Sequence, residues 1–279
     1  MKYTPKLLDE SKNPNRPKKK IWRELLELLC SLLLIALAFY FILGLLVGFV
    51  VGRLSPSTVQ SIEKQFSAII SPSTFGANGS AEAEKELQRI LDGLQQGAPI
   101  QRKVHLVEDE MVNAVALPNG DIVVFSGLLR ECKSENELAM VLGHELGHFE
   151  HRDHLRALGR GIVLLTVSTI TLGGNDSVSR LIQNSISTAE MKFSRNQESA
   201  ADLFGIERVV RQYGHVSGSL DFFKRIGEKD KSPQWATFLL SHPAPLKRVA
   251  ELEAYSKTKG YKEGEKSTLP AELKGDKKK

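Results

Sequence analysis

The chain has 279 residues, of which 41% are hydrophobic and 25% are charged, with a formal net charge of +5. That length holds one sizeable domain plus additional segments. The positive charge lies in the two ends, +6 in residues 1–23 and +4 in residues 257–279, so the middle carries −5. A nucleic-acid-binding domain has the opposite distribution, which argues against nucleic acid as a partner. Two cysteines, Cys30 and Cys132, exclude a disulfide framework and a Cys-rich metal site.

The N-terminal segment predicts a membrane anchor. Residues 1–24 are polar and basic and predict an arm without fixed structure. The run Leu28–Val51 has 24 residues without a charge, and about 20 such residues cross a lipid bilayer as a helix, so we expect a membrane span over residues 25–52. More basic residues precede the run than follow it, which places the N-terminus in the cytoplasm and the rest on the other side, facing a bacterial periplasm or exterior.

A connector over residues 53–80 is expected to lead into a folded domain over residues 81–257. Amphipathic patterns predict two helices, and alternating apolar residues predict three short strands, of which the last two flank a Pro-Asn-Gly-Asp turn typical of a hairpin. The predicted helices are Thr58–Ile70 and Ala81–Leu94, and the predicted strands are Val104–Val107, Met111–Leu117 and Ile122–Phe125.

The second half of the chain predicts mainly helices. Ser134 followed by Glu137 is a helix-start signal, and the helix it opens extends to about Glu150. A further apolar run of 14 residues, 161–174, is short for a membrane span and predicts a buried or membrane-grazing helix. Other predicted helices cover residues 178–213, 217–227 and 246–257, and the polar segment 258–279 predicts a tail without fixed structure.

The sequence His144-Glu145-Leu146-Gly147-His148 lies inside the helix that Ser134 opens. Residues four apart share one face of a helix, so both imidazoles can bind one metal ion. Glu145 projects beside them, where it can take a proton from an activated water molecule. This H-E-x-x-H pattern indicates a zinc-dependent hydrolase with one Zn²⁺ ion, whereas a surface helix with two unrelated histidines is the plain alternative.

A zinc hydrolase requires a third protein ligand, and the sequence offers two. His154 has the spacing of the metzincin pattern, but His151 stands where that pattern needs a glycine for a sharp turn. Glu198 lies in a predicted helix with Asp202 four residues later, and a carboxylate at Asp202 can orient a ligand imidazole through its other ring nitrogen. We therefore prefer Glu198 as the ligand; a solvated helix face is the alternative for this pair.

Three blocks in order resemble a known family: Asn113-Ala114 with Pro118-x-Gly120, then the H-E-x-x-H motif, then Ser194-Arg195-x-x-Glu198-x-x-Ala201-Asp202. A fourth block, Ser241-His242-Pro243 followed by Arg248, is similar to the family's His-Pro and Arg elements. The sequence resembles the membrane metallopeptidases that include HtpX, BepA and the CAAX-prenyl endopeptidases, over roughly residues 80–255. The resemblance implies a gluzincin-type zinc endopeptidase with Glu198 as third ligand. A single span resembles the Oma and BepA branches.

Two further sets of residues are candidates for the reaction. His242, in a Pro-flanked loop, can donate a hydrogen bond to the developing oxyanion or can occupy the open metal position and switch the enzyme off. Arg248 is a candidate for supporting the same charge. In the strand, Asn113, Ala114, Val115 and Ala116 are candidates for binding substrate as an added strand, with small alanines leaving room for its side chains; an ordinary hairpin is the alternative.

Together these features predict an α+β fold: a mainly helical, zincin-like metalloprotease domain with a small sheet, preceded by one transmembrane helix. The predicted function is zinc-dependent hydrolysis of polypeptides at a membrane, in membrane or envelope protein quality control. The predicted partners are a polypeptide substrate and the bilayer around residues 28–51. The alternative is a non-catalytic, membrane-tethered chaperone or assembly module on the same fold. The sequence gives no oligomeric state.

Overall fold

A computed structural model describes residues 21–67, 76, 78–161, 193–228, 236–243 and 245–274. The chain divides into two compact units, residues 1–46 and residues 47–279. Several predictions fall outside the described residues: the arm up to residue 20, most of the apolar run 161–174, the beginning of the helix predicted from residue 178, and residues 275–279.

The first unit contains most of helix α1, Ile21–Arg53, which has 33 residues. Its apolar side chains are exposed rather than packed in a protein core; Leu33, for example, is 61% exposed. The helix is long and apolar enough to cross a membrane. Its exposure is unlike that of the core helix of a water-soluble domain, whose apolar side chains are buried.

The second unit combines helices with one small sheet. Helix α3 begins and ends where the sequence predicts, and two of the three strands do as well. The element bounds are α2 Pro56–Ser67, α3 Ala81–Leu94, β1 Val104–Val107, β2 Ala114–Ala116, β3 Ile122–Phe125, α4 Ser126–Glu131, α5 Glu135–Glu150, α6 Arg195–Tyr213, α7 Asp221–Glu228, α8 Ala236–Ser241, α9 Pro245–Lys259 and a 3₁₀ turn Ala271–Leu273.

The sheet has the strand order β1-β3-β2. Strand β1 pairs parallel with β3, and β2 pairs antiparallel with β3 through Ala114–Val124 and Ala116–Ile122. The hairpin is confirmed, but β2 is shorter than the predicted Met111–Leu117. Strand β2 therefore forms one edge of the sheet, next to helix α5.

Helix α5 runs through the centre of the second unit, and nearly all of its residues are buried, including its polar ones. The predicted start is confirmed, because the Ser134 hydroxyl accepts a hydrogen bond from the backbone N–H of Glu137. Helix α6 starts in the same way at Ser194, whose side chain caps Gln197, and it ends at Gly214 with a left-handed φ of 78°. Both helices that carry predicted ligands thus have well-defined ends.

The prediction of an unstructured tail from residue 258 is wrong for the part that the structure describes. Leu269 and Leu273 are buried in the main hydrophobic core. The backbone N–H of Ser267 donates to Asn136 Oδ1 at 2.7 Å, and Ser267 O accepts from the N–H of Glu135 at 3.0 Å. Two isolated leucines give no periodic pattern, but their burial and these bonds at the start of α5 hold the segment in place.

Candidate active site

His144 and His148 lie one turn apart on α5 and point their rings to the same place. Their Nε2 atoms are 3.1 Å apart, and both side chains are almost completely buried. The rings meet edge to face with centroids 4.7 Å apart. The i, i+4 spacing of the sequence motif therefore brings the two imidazoles together as predicted.

Glu198, near the start of α6, brings a carboxylate to the same point. Its Oε1 is 3.5 Å from His148 Nε2, and its Oε2 is 3.7 Å from His144 Nε2. Together with His242, these side chains offer ligand atoms that all lie within 4.8 Å of one another. Two helices distant in sequence thus supply one cluster that can hold a metal ion.

Each of the two imidazoles is held from behind by a carboxylate. Asp202 Oδ1 is 2.8 Å from His144 Nδ1, and Asp153 Oδ2 is 3.0 Å from His148 Nδ1. The position of Asp202 agrees with the sequence-based expectation, whereas Asp153 was not among the predicted site residues. The signal that could have identified it is an acidic residue five positions after His148, directly after the turn that ends α5.

These carboxylates give a physical test of whether the cluster suits a cation. An ionised carboxylate only accepts hydrogen bonds, so each Nδ1 carries the proton and, in the neutral rings, each Nε2 carries a lone pair. Two unprotonated Nε2 atoms 3.1 Å apart, beside the Glu198 carboxylate, repel each other unless a proton or a metal ion lies between them. Ligand atoms about 2.0–2.1 Å from a tetrahedral ion are about 3.3 Å apart, close to the spacings here. The donor set therefore fits a metal ion.

The pKa values of the cluster residues are set by two opposing effects, burial and hydrogen bonds or charges from neighbouring side chains. Burial lowers the pKa of His144 despite its bond to Asp202. Burial would also lower the pKa of His148, but hydrogen bonds to Asp153 and Glu198 outweigh it and raise the pKa to about 9. Burial would raise the pKa of Glu198, but the surrounding imidazoles, His242 first, hold it far below its usual value. The carboxylates thus remain ionised.

Glu145 lies beside the cluster with its two oxygens in different settings. Its Oε2 accepts a hydrogen bond at 3.0 Å from the backbone N–H of Ala116 on the edge strand β2. Its Oε1 is buried and has no hydrogen-bond partner in the part of the chain that the structure describes, with His242 Nε2 3.5 Å away. One oxygen is therefore anchored to the sheet, and the other is available to accept a proton.

His242, in the loop after α8, enters the cluster through its Nδ1. This atom is 3.1 Å from His144 Nε2 and 3.3 Å from both oxygens of Glu198. The ring is 2% exposed and packs against Phe238 at a centroid distance of 4.9 Å. His242 thus faces the point where the predicted ligands converge, in the position of a fourth ligand.

Arg248, on α9, lies behind the ligands and has several partners. Its guanidinium binds both oxygens of Asp202 at 2.6 Å, and its Nη1 is 2.7 Å from Glu198 Oε2. Arg248 was predicted to support an oxyanion. In this arrangement its charge balances the two carboxylates, one of which is hydrogen-bonded to His144, and support of an oxyanion stays a prediction.

The strand residues predicted to bind substrate occupy mixed environments. Ala114 and Ala116 are buried in the main core beside α5, and their small size lets the helix approach the sheet. Val115 faces the other side of the strand. Asn113 is completely buried, and its Nδ2 has no hydrogen-bond partner in the described residues.

His154, the rejected candidate ligand, lies outside the cluster. Its Nε2 is 3.0 Å from Glu63 Oε1 on α2, and Glu63 Oε2 also binds Arg102 at 2.7 Å. Phe193, which the sequence did not single out, stacks on the His148 ring at 3.8 Å between centroids. Such contacts between distant segments have no local sequence signal.

The chain is similar to known metallopeptidases over more than half of its length. Metalloprotease YcaL of Escherichia coli (strain K12) is 27% identical over 216 residues, which cover 72% of this chain and 81% of that protein. Metalloprotease LoiP of the same organism is 28% identical over 219 residues, 75% of this chain and 84% of that protein. Mitochondrial metalloendopeptidase OMA1 of Schizosaccharomyces pombe (strain 972 / ATCC 24843) is 29% identical over 162 residues, 55% of this chain and 46% of that protein.

Residues 81–256 match the profile of Peptidase family M48. This range contains the paired imidazoles, the carboxylate from α6 and the glutamate beside them. A cluster that suits a cation therefore stands in the matched region, as the resemblance implied. The chain belongs to Peptidase family M48 and is a metallopeptidase.

Proposed function

We propose that the protein is a membrane-anchored zinc endopeptidase whose ion is held by His144, His148 and Glu198. The observation that carries the proposal is the convergence of two imidazole Nε2 atoms, 3.1 Å apart, with the Glu198 carboxylate at 3.5 and 3.7 Å. Two imidazoles and one carboxylate are a common ligand set of catalytic zinc. Zinc held there supplies the Lewis acidity that makes water nucleophilic near neutral pH.

Glu145 is the proposed general base and acid. Its Oε1 accepts a proton from the attacking water, and the carboxyl group then gives that proton to the leaving amine. The hydrogen bond from Ala116 to Oε2 fixes the orientation of the carboxylate. A base in this position has no role in a protein that only binds polypeptides, so Glu145 favours catalysis over the chaperone alternative.

Substrate binding along strand β2 is the second part of the proposal. The strand lies at the edge of the sheet, and an extended peptide can add to such an edge through main-chain hydrogen bonds. Because main-chain bonds are independent of side chains, broad sequence tolerance is expected.

Helix α1 is proposed to anchor the enzyme in a bilayer. It has 33 residues, its apolar side chains are exposed, and its charged residues lie at its two ends. The distribution of basic residues supports a cytoplasmic N-terminus and a catalytic unit on the opposite side. A role in quality control of membrane or envelope proteins fits an anchored protease, and one relative from Yersinia pestis is named Beta-barrel assembly-enhancing protease.

Hydrolysis of casein by the full chain, purified in detergent, tests the proposal. The wild type is expected to cleave casein, to lose cleavage with a chelator and to regain it with added zinc. Glu145→Gln is expected to keep zinc but to lose cleavage. The exposed Glu150 on the same helix provides the matched control, and Glu150→Gln is expected to retain activity. Zinc binding without cleavage in the wild type would favour the chaperone alternative.

A further inference from the structure

A cavity of about 200 Å³ lies on the side of α5 close to the end of helix α1. It is bounded by the start of α2, the segment after α3, and the facing surfaces of α5 and α6. Its walls combine apolar side chains, such as Val59, Ile100 and Phe149, with three arginines, Arg102, Arg152 and Arg208. A cavity with apolar walls and several guanidinium groups suits a ligand that is part apolar and part anionic.

The three arginines differ in how their charge is balanced. Arg102 is buried and paired with Glu63 at 2.7 Å. Arg208 donates to the backbone carbonyl of Gln96 at 3.1 Å and lies over the Phe204 ring. Within the described residues, neither Arg152 nor Arg208 has a carboxylate within 4.0 Å. Two guanidinium groups therefore border the cavity without a carboxylate partner among the described residues, although the exposed Glu150 also borders it.

Arg152 has an unusual backbone. Its φ is 57°, the left-handed region that favours glycine, and it is the one non-glycine residue with a positive φ in the part of the chain that the structure describes. The guanidinium donates to the backbone carbonyl of Val51 at 2.7 Å. Strained backbone conformations are concentrated at functional sites, so the φ of Arg152 is a reason to look for a function of its side chain.

The Val51 carbonyl that Arg152 binds lies close to the proposed membrane boundary. Val51 lies two residues before Arg53, the first charged residue after the apolar run in α1, and Pro56 already borders the cavity. If the bilayer ends near Arg53, its headgroup region is expected only three residues along the chain from Pro56 at the edge of the cavity. Anionic headgroups attract arginine side chains there, and guanidinium groups bind phosphate oxygens through paired hydrogen bonds.

We propose that this cavity binds the phosphate of an anionic phospholipid, with Arg152 and Arg208 as the phosphate-binding residues. Such a lipid would seat the catalytic unit on the bilayer beside the end of α1. The proposal rests on the membrane anchoring given under Proposed function, but it is independent of the zinc chemistry.

The test uses the full chain in nanodiscs that contain phosphatidylcholine with an increasing fraction of phosphatidylglycerol. Co-purified lipid is quantified by mass spectrometry, and zinc content and casein cleavage are measured on the same samples. The variants are Arg152→Gly, which removes the charge while suiting the positive φ, Arg208→Gln, and the double variant. Arg130→Gln is the matched control, because Arg130 borders a different cavity.

The wild type is expected to enrich phosphatidylglycerol over phosphatidylcholine, and each arginine removed is expected to reduce the enrichment about fivefold. Arg130→Gln is expected to match the wild type, and zinc content is expected to stay constant in every variant. Equal enrichment in the double variant and the control would overturn the proposal. Loss of enrichment in millimolar inorganic phosphate would assign the cavity to a free anion and would overturn it too.

The same experiment distinguishes a failure of membrane anchoring from a failure of the lipid site. A wild type that does not enter nanodiscs and stays soluble without detergent would overturn the membrane anchoring and the lipid site together. A wild type that enters nanodiscs, binds zinc and cleaves casein, but shows no lipid preference, would overturn the lipid site alone.

Discussion

Gly147 of helix α5 lies directly against the backbone of Ala201 in helix α6. A Cβ added at Gly147 would be 2.6 Å from Ala201 Cα, closer than real atoms pack. Gly143 and Gly205 make a similar close approach one turn earlier, where a Cβ added at Gly143 would be 3.0 Å from Gly205 Cα. The absence of side chains here lets the two helices come close enough for Glu198 to reach the imidazoles. Helix packing therefore sets the geometry of the side-chain cluster that can hold a metal ion.

Gly147→Ala is expected to damage both the fold and the site. Overpacking typically costs about 1–3 kcal/mol, which lowers the thermal midpoint of a domain of this size by about 2–12 °C. Separation of the helices should also weaken zinc binding. The control is Gly161→Ala, because a Cβ there meets no described atom within 4 Å. A Gly147→Ala variant with the thermal midpoint and zinc affinity of the wild type would contradict this account.

Much of the side-chain cluster that can hold a metal ion was predictable, because the sequence patterns that indicate it are local. A start signal at Ser134 and the i, i+4 spacing of the histidines place His144 and His148 on one helical face, and Glu198 shares a second helix with Asp202. The residues that contact the cluster from behind were harder to predict. Phe193 contacts His148 from 45 residues away, and no periodic pattern encodes that contact. Asp153 is only five residues after His148, but it lies beyond the end of α5, where helical spacing no longer predicts the direction of a side chain.

The same reason explains the wrong prediction for the tail. Residues 258–270 are polar and show no helical or strand period, which in sequence terms resembles a disordered segment. Their order comes from two buried leucines and from hydrogen bonds with the start of α5. Such tertiary contacts outweigh local preference and become visible only when the partner surface is known.

Asp153→Asn and Asp202→Asn test the carboxylates behind the ligand imidazoles. Both changes keep the side-chain shape but remove the charge that orients the ring, so zinc affinity is expected to fall about 10–100-fold. Competition with a chromogenic chelator measures this affinity. Asp92→Asn, on the exposed face of α3, is expected to leave it unchanged. Equal affinities in all three variants would refute the supporting role.

Arg248→Gln tests whether the guanidinium balances the buried carboxylates. Its removal leaves Asp202 and Glu198 without their shared positive partner, and breaking a buried ion pair typically costs about 3–5 kcal/mol. The thermal midpoint of the zinc-free protein is therefore expected to fall by about 6–20 °C. Lys247→Gln removes an exposed charge next to it and should have little effect. An unchanged midpoint in Arg248→Gln would reject this role.

Glu63 gives a prediction about acid stability. Burial would raise the pKa of Glu63, but hydrogen bonds and charge from His154 and Arg102 outweigh it and lower the pKa below its usual 4.5. Because the folded-state pKa is lower than the unfolded one, the stabilisation is present above that usual value and is lost as pH falls through the folded pKa. Glu63→Gln should therefore lower the thermal midpoint most near neutral pH.

Thermal midpoints between pH 7 and pH 3 measure this difference. The gap between the wild type and Glu63→Gln is expected to shrink below about pH 4.5, because protonation then removes the same charge in the wild type. Glu82→Gln, an exposed change at the start of α3, serves as the control and should follow the wild type throughout. A gap independent of pH would show that the Glu63 charge contributes nothing.

His242 distinguishes the two roles that the sequence left open. Its Nδ1 faces the ligand atoms of His144 and Glu198 at 3.1–3.3 Å, the position of a fourth ligand. A catalytic zinc site needs that position open for water, so we predict that this arrangement is a closed state from which the His242 side chain turns away before catalysis. His242→Ala is therefore expected to raise the rate of casein cleavage severalfold while zinc content stays the same.

A role in oxyanion stabilisation predicts the opposite result. Removal of a donor to the oxyanion typically lowers kcat by about 100–1,000-fold, so the sign of the change separates the two roles. His105→Ala is the matched control, because His105 is a partly exposed histidine on β1 that pairs with Asp121. Because the ring of His242 is buried against Phe238, thermal unfolding must also be compared. A variant that stays folded and keeps its zinc but cleaves more slowly would reject the closed state.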